Sequence, residues 1–338
     1  MKKIFNRNVE NDIVIIAEVG LNHEGSYSRA KKLIKSLVKI DVDAIKLQSY
    51  TVTKYCSTSN IERYNMLKSF ALSKEEHIKL ANLVHQNNKA FLSTPLSEDW
   101  VDFISEIGDG IKIASGDITF LPVIRKAAMQ NKPVILSTGA SNLEEIKKAI
   151  KVFKKYSSKK INLKDKLAIL HCVSSYPAIY SECNLLSIPF LKQKLNLVTG
   201  WSNHTLGSNI NIAAVALGAQ IVELHVTDNK NSKPFRDHAL SYEIEDLKIL
   251  IKELREIKQA LGSNQKQPSL LELTNVKNFR KGIVSSVPIK KGERLKKNNL
   301  QYARPIVDFN SNELNLLIGK RAKKDIPLGN VISKKNIK

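Results

Sequence analysis

The feature that most constrains the fold is a regular alternation of short β-rich segments with helical stretches from residue 12 to residue 261. The segments with the composition and length of buried strands are 12–19, 43–50, 89–95, 110–116, 133–139, 167–173, 197–202 and 219–226. Helical stretches lie between and after them, at 26–40, 73–88, 97–106, 119–130, 141–156, 184–195, 207–217 and 243–261. Eight strand–helix units in about 250 residues predict a closed, parallel TIM (β/α)8 barrel. An open dinucleotide-binding sheet is disfavoured, because no GxGxxG motif follows an early strand.

The pattern changes after residue 261. Residues 261–280 are polar and broken, which is typical of a linker. The later stretches VSSVPIKKGERL and KKDIPLGNVI alternate apolar residues around Lys-Gly, Gly-Glu and Leu-Gly turns, which predicts short strands. We therefore predict a barrel domain over 1–262, a linker over 263–280 and a small β-rich domain over 281–338. A domain this small buries little apolar surface on its own, so we expect it to be stabilised by contacts with the barrel or with another subunit.

The chain is strongly basic, with 54 lysines and arginines against 32 acidic residues and a net charge of +22. The lysines are scattered through helical stretches, and no aromatic interleaving or glycine–arginine tract accompanies them. The pattern therefore does not favour nucleic acid as a partner. It suits a positive field that draws an anionic substrate into a cleft.

The sequence also gives expectations about the cellular setting. No apolar run approaches the roughly 18 residues of a membrane span, and the start of the chain does not resemble a signal peptide. Cys56, Cys172 and Cys183 have neither metal-ligand spacing nor an obvious pairing. We expect a cytoplasmic protein with reduced thiols and no membrane partner.

Polar side chains recur at the C-terminal ends of the predicted strands, the face on which barrel enzymes build their active sites. In chain order they are Glu18, Lys46, Gln48, Thr94, Lys112, Ser115, Asp117, Ser137, Tyr176, Ser202, His204 and His225. A single buried polar strand end is compatible with a purely structural role. Eight strand ends that converge on one rim indicate a site.

Two histidines, His204 and His225, each close an apolar stretch on adjacent predicted strands. Each could be an unrelated buried imidazole. Together they could hold one metal ion, and two protein ligands would leave coordination positions open, as a catalytic site requires. We expect His171 to be structural, and we expect His77 and His85, on a polar helix, to be solvated.

Lys46 and Lys112 lie within otherwise apolar strands. A lysine inside a barrel is costly unless it faces an anion, although its stem could also carry the ammonium group to the rim. Ser137-Thr138-Gly139 precedes a helix and could form a phosphate nest of backbone N–H groups. With the carboxylates Glu18 and Asp117, these groups suggest a small phosphorylated acid that reacts with a metal-polarised carbonyl.

Eight ordered motifs resemble those of the sialic acid (N-acetylneuraminate) synthase family. They are AEVGLNHEG (17–25), IKLQSY (45–50), FLSTPLS (91–97), KIASGD (112–117), ILSTGA (135–140), LHCVSSYP (170–177), GWSNHT (200–205) and ELHVTD (223–228). The tail, with IKKGERL and DIPLGNVI, resembles that family's SAF domain, which is related to type III antifreeze proteins. The resemblance covers about residues 13–338.

The resemblance implies an enzyme that condenses phosphoenolpyruvate with an N-acylated amino sugar such as N-acetylmannosamine, giving N-acetylneuraminate and phosphate. It implies a divalent metal, Mn2+ or Mg2+, on His204 and His225, and Glu18 and Asp117 as acid and base in an order that the sequence leaves open. The residues that it assigns to phosphoenolpyruvate are Lys46, Thr94, Lys112, Ser115, Ser137 and Ser202, and those that it assigns to the sugar are Gln48, Tyr176, Asp237 and Arg304. Arg304 in that family reaches into the neighbouring subunit's barrel, which implies a domain-swapped homodimer.

Other readings of the substrate remain open. The acceptor could be a 2,4-diacetamido-trideoxyhexose, which would make the protein a legionaminate or pseudaminate synthase, or it could be a 6-phosphate sugar. Asp117 stands where bacterial members often carry glutamate, Ser174 where many carry asparagine, and residues 229–238 depart from the usual loop. A more distant reading is a carbohydrate-binding protein with an inactive barrel.

Overall fold

We analysed a computed structural model of the chain, which describes residues 3–158, 160, 162–230 and 235–338. The chain divides into two compact units, Met1–Gly262 and Ser263–Lys338.

The first unit is a closed barrel of eight parallel strands, so the TIM-barrel prediction is confirmed. A two-stranded hairpin, β1 (Lys3–Ile4) and β2 (Arg7–Asn8), precedes it. The barrel strands are β3 (Val14–Gly20), β4 (Ala44–Ser49), β5 (Ala90–Pro95), β6 (Gly110–Ile113), β7 (Val134–Ser137), β8 (Leu167–Cys172), β9 (Val198–Asn203) and β10 (Ile221–His225). Each strand pairs with the next along the chain, and β10 pairs with β3 to close the ring.

Helices cover the outside of the barrel and connect its strands. They are α1 (Tyr27–Leu37), α2 (Val52–Tyr55), α3 (Ile61–Phe70), α4 (Lys74–His85), α5 (Val101–Ile107), α6 (Leu121–Met129), α7 (Leu143–Tyr156), α8 (Ser187–Leu195), α9 (Asn209–Ala216), α10 (Asp237–Leu240) and α11 (Ile244–Leu261). Within the described ranges, no helix combines the length and the apolar composition needed to cross a bilayer.

Local capping sets where several helices begin. Helix α4 begins after Ser73, whose side chain accepts from the backbone N–H of Glu76 while the Glu76 carboxylate accepts from that of Ser73. The same reciprocal arrangement starts α7, but between Asn142 and Glu145. Ser141 and Glu144 have the same spacing in the sequence, but the residue that caps the helix is Asn142, because asparagine caps helices about as well as serine.

The N-terminal end of the barrel is a structural floor. Ile4 and Val9 from the β1–β2 segment are buried against Val14 and Val198, which are first residues of strands. This hairpin could not be predicted, because strands of two residues show no period in the sequence. These apolar side chains close the barrel interior at this end.

The second unit contains an antiparallel pair, β11 (Gly282–Ser285) and β12 (Leu300–Ala303), with isolated bridges between its other segments. Its small core includes Ile283, Ile289 and Leu295. Helix α12 (Leu270–Phe279) lies within the segment predicted as a linker, and it begins with a capping box formed by Ser269 and Glu272. The short strands and turns agree with the β-rich pattern read from the tail.

Candidate active site

A cavity of about 930 Å3 opens at the C-terminal end of the barrel strands. Every site residue predicted on the barrel lines this cavity: Glu18, Lys46, Gln48, Thr94, Lys112, Ser115, Asp117, Ser137, Tyr176, Ser202, His204, His225 and Asp237. The remaining predicted residue, Arg304, belongs to the second unit. The convergence of strand ends on one site is thus observed as expected.

Strand register explains why these side chains meet. His225 of β10 pairs with Glu18 of β3, which in turn pairs with Lys46 of β4. Because side chains alternate along a strand, Lys46 and Gln48 point to the same side of β4, and Glu223 and His225 point to the same side of β10. Parallel pairing therefore brings the Glu18 carboxylate, the Lys46 ammonium group and the His225 imidazole into one layer of the barrel interior.

Two lysines and two glutamates form the charged centre of the cavity. Lys46 Nζ lies 2.8 Å from Glu18 Oε2 and 3.8 Å from Glu223 Oε2. Lys112 Nζ lies 3.6 Å from Glu223 Oε1. The lysine side chains are 3–4% exposed, so the reading in which their ammonium groups reach solvent is wrong.

Glu223 is a site residue that the sequence reasoning missed. Its Oε1 accepts a hydrogen bond from Ser202 Oγ at 3.0 Å. Its position in the sequence could have identified it. Glu223 lies two residues before His225 and therefore on the same face of the strand, and a charged side chain at an otherwise apolar inward position needs a partner. Glu223 is the shared counter-ion of both lysines.

Burial and charge shift the titration of these groups in different directions. Burial would raise the pKa of Glu223, but the Lys112 and Lys46 ammonium groups outweigh it and lower that pKa to about 2. Burial raises the pKa of Glu18 against the opposing effect of Lys46. Burial also raises the pKa of Asp117 to about 6, opposed by Lys112. Glu223 is therefore a fixed anion, whereas Asp117 can exchange a proton near neutral pH.

The imidazoles of His204 and His225 face the same space, with ring centroids 5.3 Å apart. His204 Nδ1 donates to the carbonyl oxygen of Val173 at 2.7 Å, which leaves the Nε2 lone pair free to bind a ligand. His225 Nδ1 is buried without a hydrogen-bond partner. Burial lowers the pKa of both imidazoles, so both are neutral, the form that binds metal ions.

The donor set fits a substrate-binding metal site better than a closed structural one. In the part of the chain that the structure describes, no group of three or more histidine, cysteine, aspartate or glutamate side chains could hold a metal ion. The two imidazoles would thus be the main protein ligands, and the other positions would fall to water or substrate oxygens. The pair fits an open, catalytic metal position.

Several buried polar atoms along the cavity make no hydrogen bond. They belong to Asp117, Ser137, Glu223, His225 and Asp237. Buried polar groups normally find partners, and a cluster that does not is expected where a polar ligand binds.

The predicted phosphate nest at residues 137–139 is wrong in its main part. The Thr138 N–H and Oγ both donate to the carbonyl oxygen of Leu170, each at 3.0 Å. The Gly139 N–H donates to Ser115 Oγ at 2.9 Å. These N–H and hydroxyl groups are already bonded to strand β8 and to Ser115. Within this segment, Ser137 Oγ is the buried polar side-chain atom that lines the cavity without a hydrogen-bond partner.

Of the other three histidines for which the sequence predicted a role, His77 differs from its prediction, whereas His85 and His171 agree with theirs. His77 is 1% exposed, not solvated, and Ser49 Oγ lies 2.8 Å from its Nε2. The helical pattern misled here because His77 lies on the inner face of α4. His85 is partly exposed beside Asp109, and His171 Nε2 donates to the carbonyl oxygen of Cys183 at 2.8 Å, a structural role as expected.

The cavity also has an apolar side that the sequence reasoning missed. It is formed by Tyr55, Met66, Leu67 and Phe70, from α2 and α3, and by Phe235. The departure noted at residues 229–238 falls partly on residues 231–234, which lie outside the described residues.

Comparison with known proteins places the chain in a family. A model described as the NeuB family matches residues 33–266. The chain belongs to the NeuB family. A model of the SAF domain matches residues 280–338. The resemblance inferred from the eight motifs, including the SAF-like tail, is confirmed.

Individual NeuB relatives align over most of their length. The chain is 38% identical to the N,N'-diacetyllegionaminic acid synthase of Campylobacter jejuni, over 92% of this chain and 96% of that protein. It is 33% identical to the N,N'-diacetyllegionaminic acid synthase of Legionella pneumophila, over 94% and 92% of the two chains. The crystal structure of the N-acetylneuraminic acid synthetase of Leptospira borgpetersenii, solved with citrate, superposes with a TM-score of 0.73 at 34% identity, covering 79% of this chain and 90% of that one.

Proposed function

We propose that the protein is a nonulosonic acid synthase, which joins phosphoenolpyruvate to an N-acylated amino sugar and releases inorganic phosphate. The observation that carries this proposal is the pair of buried lysines, Lys46 and Lys112, beside the imidazoles of His204 and His225 in one cavity. An anionic ligand stabilises ammonium groups that are buried away from water, and neutral imidazoles are the form of histidine that binds metal ions. Membership of the NeuB family supports the same chemistry.

Phosphoenolpyruvate binds in the charged centre. The ammonium groups of Lys46 and Lys112 neutralise its carboxylate and phosphate, and hydroxyl groups complete the site: Thr94, Ser115, Ser137 and Ser202. Thr94 Oγ1 already accepts a hydrogen bond from Lys46 at 3.0 Å, which fixes the ammonium group in place. Because Glu223 offsets part of the positive charge, the lysines remain tolerable in the interior before substrate binds.

His204 and His225, whose rings lie 5.3 Å apart, are the residues that would hold a divalent metal ion, Mn2+ or Mg2+. When bound there, the ion supplies Lewis acidity toward a carbonyl oxygen of the substrate. The protein's own contribution is to keep both imidazoles neutral and to fix the His204 tautomer through the Val173 carbonyl.

The reaction forms a bond between C3 of phosphoenolpyruvate and the aldehyde carbon of the open-chain sugar. The aldehyde oxygen gains a proton, and water adds to C2 and loses a proton. The bond between C2 and the phosphate oxygen then breaks, and the C2 hydroxyl group gives its remaining proton to the departing phosphate and becomes the keto group. Glu18 pairs in register with His225 and has a raised pKa, which suits delivery of the proton to the new hydroxyl group. Asp117 follows Lys112 and Ser115 along the chain, beside the phosphoenolpyruvate site, and it accepts the proton from water.

The sugar occupies the part of the cavity near Gln48, Tyr176 and Asp237. Gln48 Nε2 donates to Glu18 Oε1 at 3.1 Å, and the Tyr176 ring lies 4.0 Å from the His204 ring, centroid to centroid. Acceptors that agree with this chemistry are N-acetylmannosamine, its 6-phosphate and 2,4-diacetamido-trideoxyhexoses. A cavity of about 930 Å3 is large enough for phosphoenolpyruvate and any of these sugars together.

We further propose that the active form is a homodimer in which Arg304 of one subunit completes the cavity of the other. Helix α12 is a second candidate surface for association between subunits, because the side chains of Leu270, Leu271 and Phe279 are 83%, 81% and 59% exposed. Large apolar side chains clustered in this way are typical of association surfaces.

The proposed reaction is tested by incubating the purified protein with Mn2+, phosphoenolpyruvate and each candidate sugar, and by measuring released phosphate. We expect release that requires both the metal and a sugar. If no sugar stimulates phosphate release above the metal-free background, the synthase proposal fails, and binding of the same sugars without turnover would favour the carbohydrate-binding reading.

A further inference from the structure

The positive charge of the chain is concentrated in the second unit. Residues 263–338 contain 17 lysines and arginines against 5 aspartates and glutamates, a net charge of +12, although they are fewer than a quarter of the chain. The barrel unit, with 37 basic residues against 27 acidic ones, carries the remaining +10. An excess this uneven is not a uniform property of the composition, so the surface of the second unit needs its own explanation.

The acidic residues of the second unit are used to hold its backbone. Each carboxylate accepts a hydrogen bond from a backbone N–H group: Glu272 from Ser269, Glu293 from Lys290, Asp308 from Lys334, Glu313 from Asn310 and Asp325 from Lys291. In the part of the chain that the structure describes, Lys290, beside Asp325, is the one basic side chain of this unit that forms an ion pair with an acidic one. Most cations of the unit are therefore left without a charge partner inside it.

Five of these cations lie on one exposed surface, which we name the basic face: Arg294, Lys296, Arg321, Lys323 and Lys338. Arg294 pairs with Arg321 across an antiparallel bridge, and Arg321 exchanges two backbone hydrogen bonds with Lys338, at 3.0 and 2.8 Å. Residues directly opposite each other on antiparallel segments project to the same side. Three neighbouring segments thus place their basic side chains in one row.

The alternation of burial shows that this row faces solvent. Leu295 and Ala322, each of which lies between two residues of the basic face, are 0% and 1% exposed and belong to the small core of the unit. Because successive side chains of an extended segment point to opposite sides, the residues before and after them point outward. The basic face is therefore a layer of cations above the core of the second unit.

The basic face is electrostatically unfavourable when nothing is bound to it. Like charges directly opposite one another on paired segments are destabilising, and Arg294 and Arg321 are such a pair. The Arg321 Nη1 atom donates to the carbonyl oxygen of Gly292 at 2.7 Å, a contact that supplies no negative charge. Asp325, two residues after Lys323, is engaged by Lys290 and by the Lys291 N–H. An anion from outside the unit would relieve the repulsion.

We propose that the basic face binds the phosphate headgroups of an anionic membrane surface, so that the protein associates reversibly with that membrane. Clusters of four to eight lysines and arginines bind anionic lipids through charge alone. The basic face contains no aromatic or large apolar side chain, the anchors on which tight protein interfaces depend and on which single-stranded nucleic acids stack. A layer of lipid phosphates needs no such anchor and can engage all five cations at once.

The proposal changes the expectation of no membrane partner. That expectation follows from the lack of an apolar run long enough to span a bilayer, and binding to headgroups through charge requires no such run. The proposal is also independent of the synthase reaction, because none of the residues of the basic face lines the barrel cavity.

The first test measures sedimentation of the whole chain with two kinds of vesicle. One is phosphatidylcholine alone, and in the other about one third of the lipid is anionic phosphatidylglycerol. We expect binding to the anionic vesicles at low salt and its loss as NaCl is raised to about 0.5 M, because salt screens exposed charges. Absence of binding, or equal binding to both kinds of vesicle, would overturn the proposal. Tighter binding to a DNA duplex at the same phosphate concentration would also overturn it, in favour of nucleic acid.

The second test removes charge from the basic face in a triple variant, Arg294→Gln, Lys296→Gln and Lys323→Gln. Arg321 is kept because of its bond to the Gly292 carbonyl oxygen. We expect the affinity for anionic vesicles to fall roughly 100-fold, since each basic residue near an anionic surface contributes about a factor of five. The melting temperature should not fall, because the three side chains are exposed and the change removes repulsion.

The matched control is a second triple variant, Lys266→Gln, Lys277→Gln and Lys281→Gln. It removes the same charge from exposed positions of the same unit, outside the basic face. The control should bind anionic vesicles nearly as well as the unchanged protein. Equal losses of affinity in the two variants would show that net charge acts without a defined surface, and would overturn the proposal.

Light scattering separates membrane binding from contact between subunits. The variant of the basic face should keep the oligomeric mass of the unchanged protein in the absence of vesicles. A change in that mass would show that the basic face is covered by another copy of the chain, which contradicts its availability to lipid.

Discussion

At the scale of single residues, the site depends on cations buried beside a fixed anion. Glu223 stays ionised because Lys46 and Lys112 lower its pKa to about 2. Burial lowers the pKa of Lys112, whereas burial is outweighed at Lys46 by Glu18 and Glu223, which raise the pKa of Lys46. The two lysines are therefore not equivalent, and Lys112 depends more on a bound anion for its charge.

Replacing Lys112 by methionine tests this dependence. The change removes a buried charge partner of the substrate while keeping most of the side-chain volume. We expect the KM for phosphoenolpyruvate to rise at least about 30-fold, corresponding to about 2 kcal/mol or more of lost binding. Steady-state kinetics with varied phosphoenolpyruvate provide the measurement.

Lys166→Met is the matched control for that change. Lys166 is also buried, but its Nζ donates to the carbonyl oxygen of Ala128 and the residue does not line the cavity. It should alter stability and leave the KM for phosphoenolpyruvate unchanged. Similar kinetic effects from both changes would mean that Lys112 acts through folding.

The pH dependence of the reaction tests Asp117. Because burial raises its pKa to about 6, the carboxylate form that accepts a proton predominates above pH 6 and is lost below it. We expect kcat/KM to fall as pH is lowered through 6, approaching tenfold per unit. Since a substrate phosphate also titrates near pH 6, the informative quantity is the difference from Asp117→Asn.

In Asp117→Asn the activity should be low, and the part of the acid limb that belongs to the enzyme should disappear. A variant with the full wild-type pH profile would exclude Asp117 as the base and would leave Glu18 as the remaining candidate.

At the scale of elements, the sequence was most informative where a segment is buried on both sides. All eight barrel strands were found within a few residues of their ends, because a strand covered by helices on one side and core on the other is a continuous apolar run. The inward polar residues at their ends stood out against that run, which is why His204, His225 and both lysines could be read. Glu223 was missed although it lies on the same strand face as His225.

The elements that were missed share a physical cause. Helix α3 has one buried residue, Leu67, and α12 has none, so neither shows an apolar stripe at helical spacing. Their positions depend on tertiary contacts around Phe70 or on capping at Ser269. Sequence periodicity does not carry that information, so the apolar side of the cavity could not be predicted.

One glycine fixes the position of α3 against the loop after β3. Gly25 has φ +77°, and a Cβ atom there would lie 2.0 Å from the backbone oxygen of Ser69 in α3. We expect Gly25→Ala to destabilise the protein by about 1–3 kcal/mol and to shift α3. The KM for the acceptor sugar should rise, and the KM for phosphoenolpyruvate should change little.

Gly292→Ala is the control for the backbone effect alone. Gly292 has φ +86°, but no atom lies within 4 Å of the position of an added Cβ. It should therefore cost stability without changing either KM. An unchanged acceptor KM in Gly25→Ala would show that α3 does not depend on this contact.

For the molecule as a whole, the proposed function needs a cavity on the barrel unit and a surface through which subunits associate. The barrel unit supplies the charged centre and the imidazole pair. The second unit supplies Arg304 and the exposed leucines of α12. The cavity residues of the barrel and the exposed apolar residues of the second unit are therefore both needed for the proposed dimeric enzyme.

Mixing inactive variants tests the proposed exchange between subunits. Arg304→Ala and Lys112→Met should each be nearly inactive at low substrate concentration. If Arg304 acts on the partner's cavity, a mixed dimer has one intact site, so refolding the two together in equal amounts should restore up to about one quarter of wild-type activity. Activity no greater than the average of the separate variants would contradict the swapped arrangement.

The mass of the product tests the proposed condensation. Wild-type protein, with Mn2+, phosphoenolpyruvate and the preferred sugar, should give one new acid per phosphate released, with the mass of the sugar plus pyruvic acid. His225→Ala, with an unchanged thermal unfolding profile, should give none. Phosphate release without that acid would contradict the proposed condensation, and full product formation by His225→Ala would contradict the proposed role of the imidazole pair.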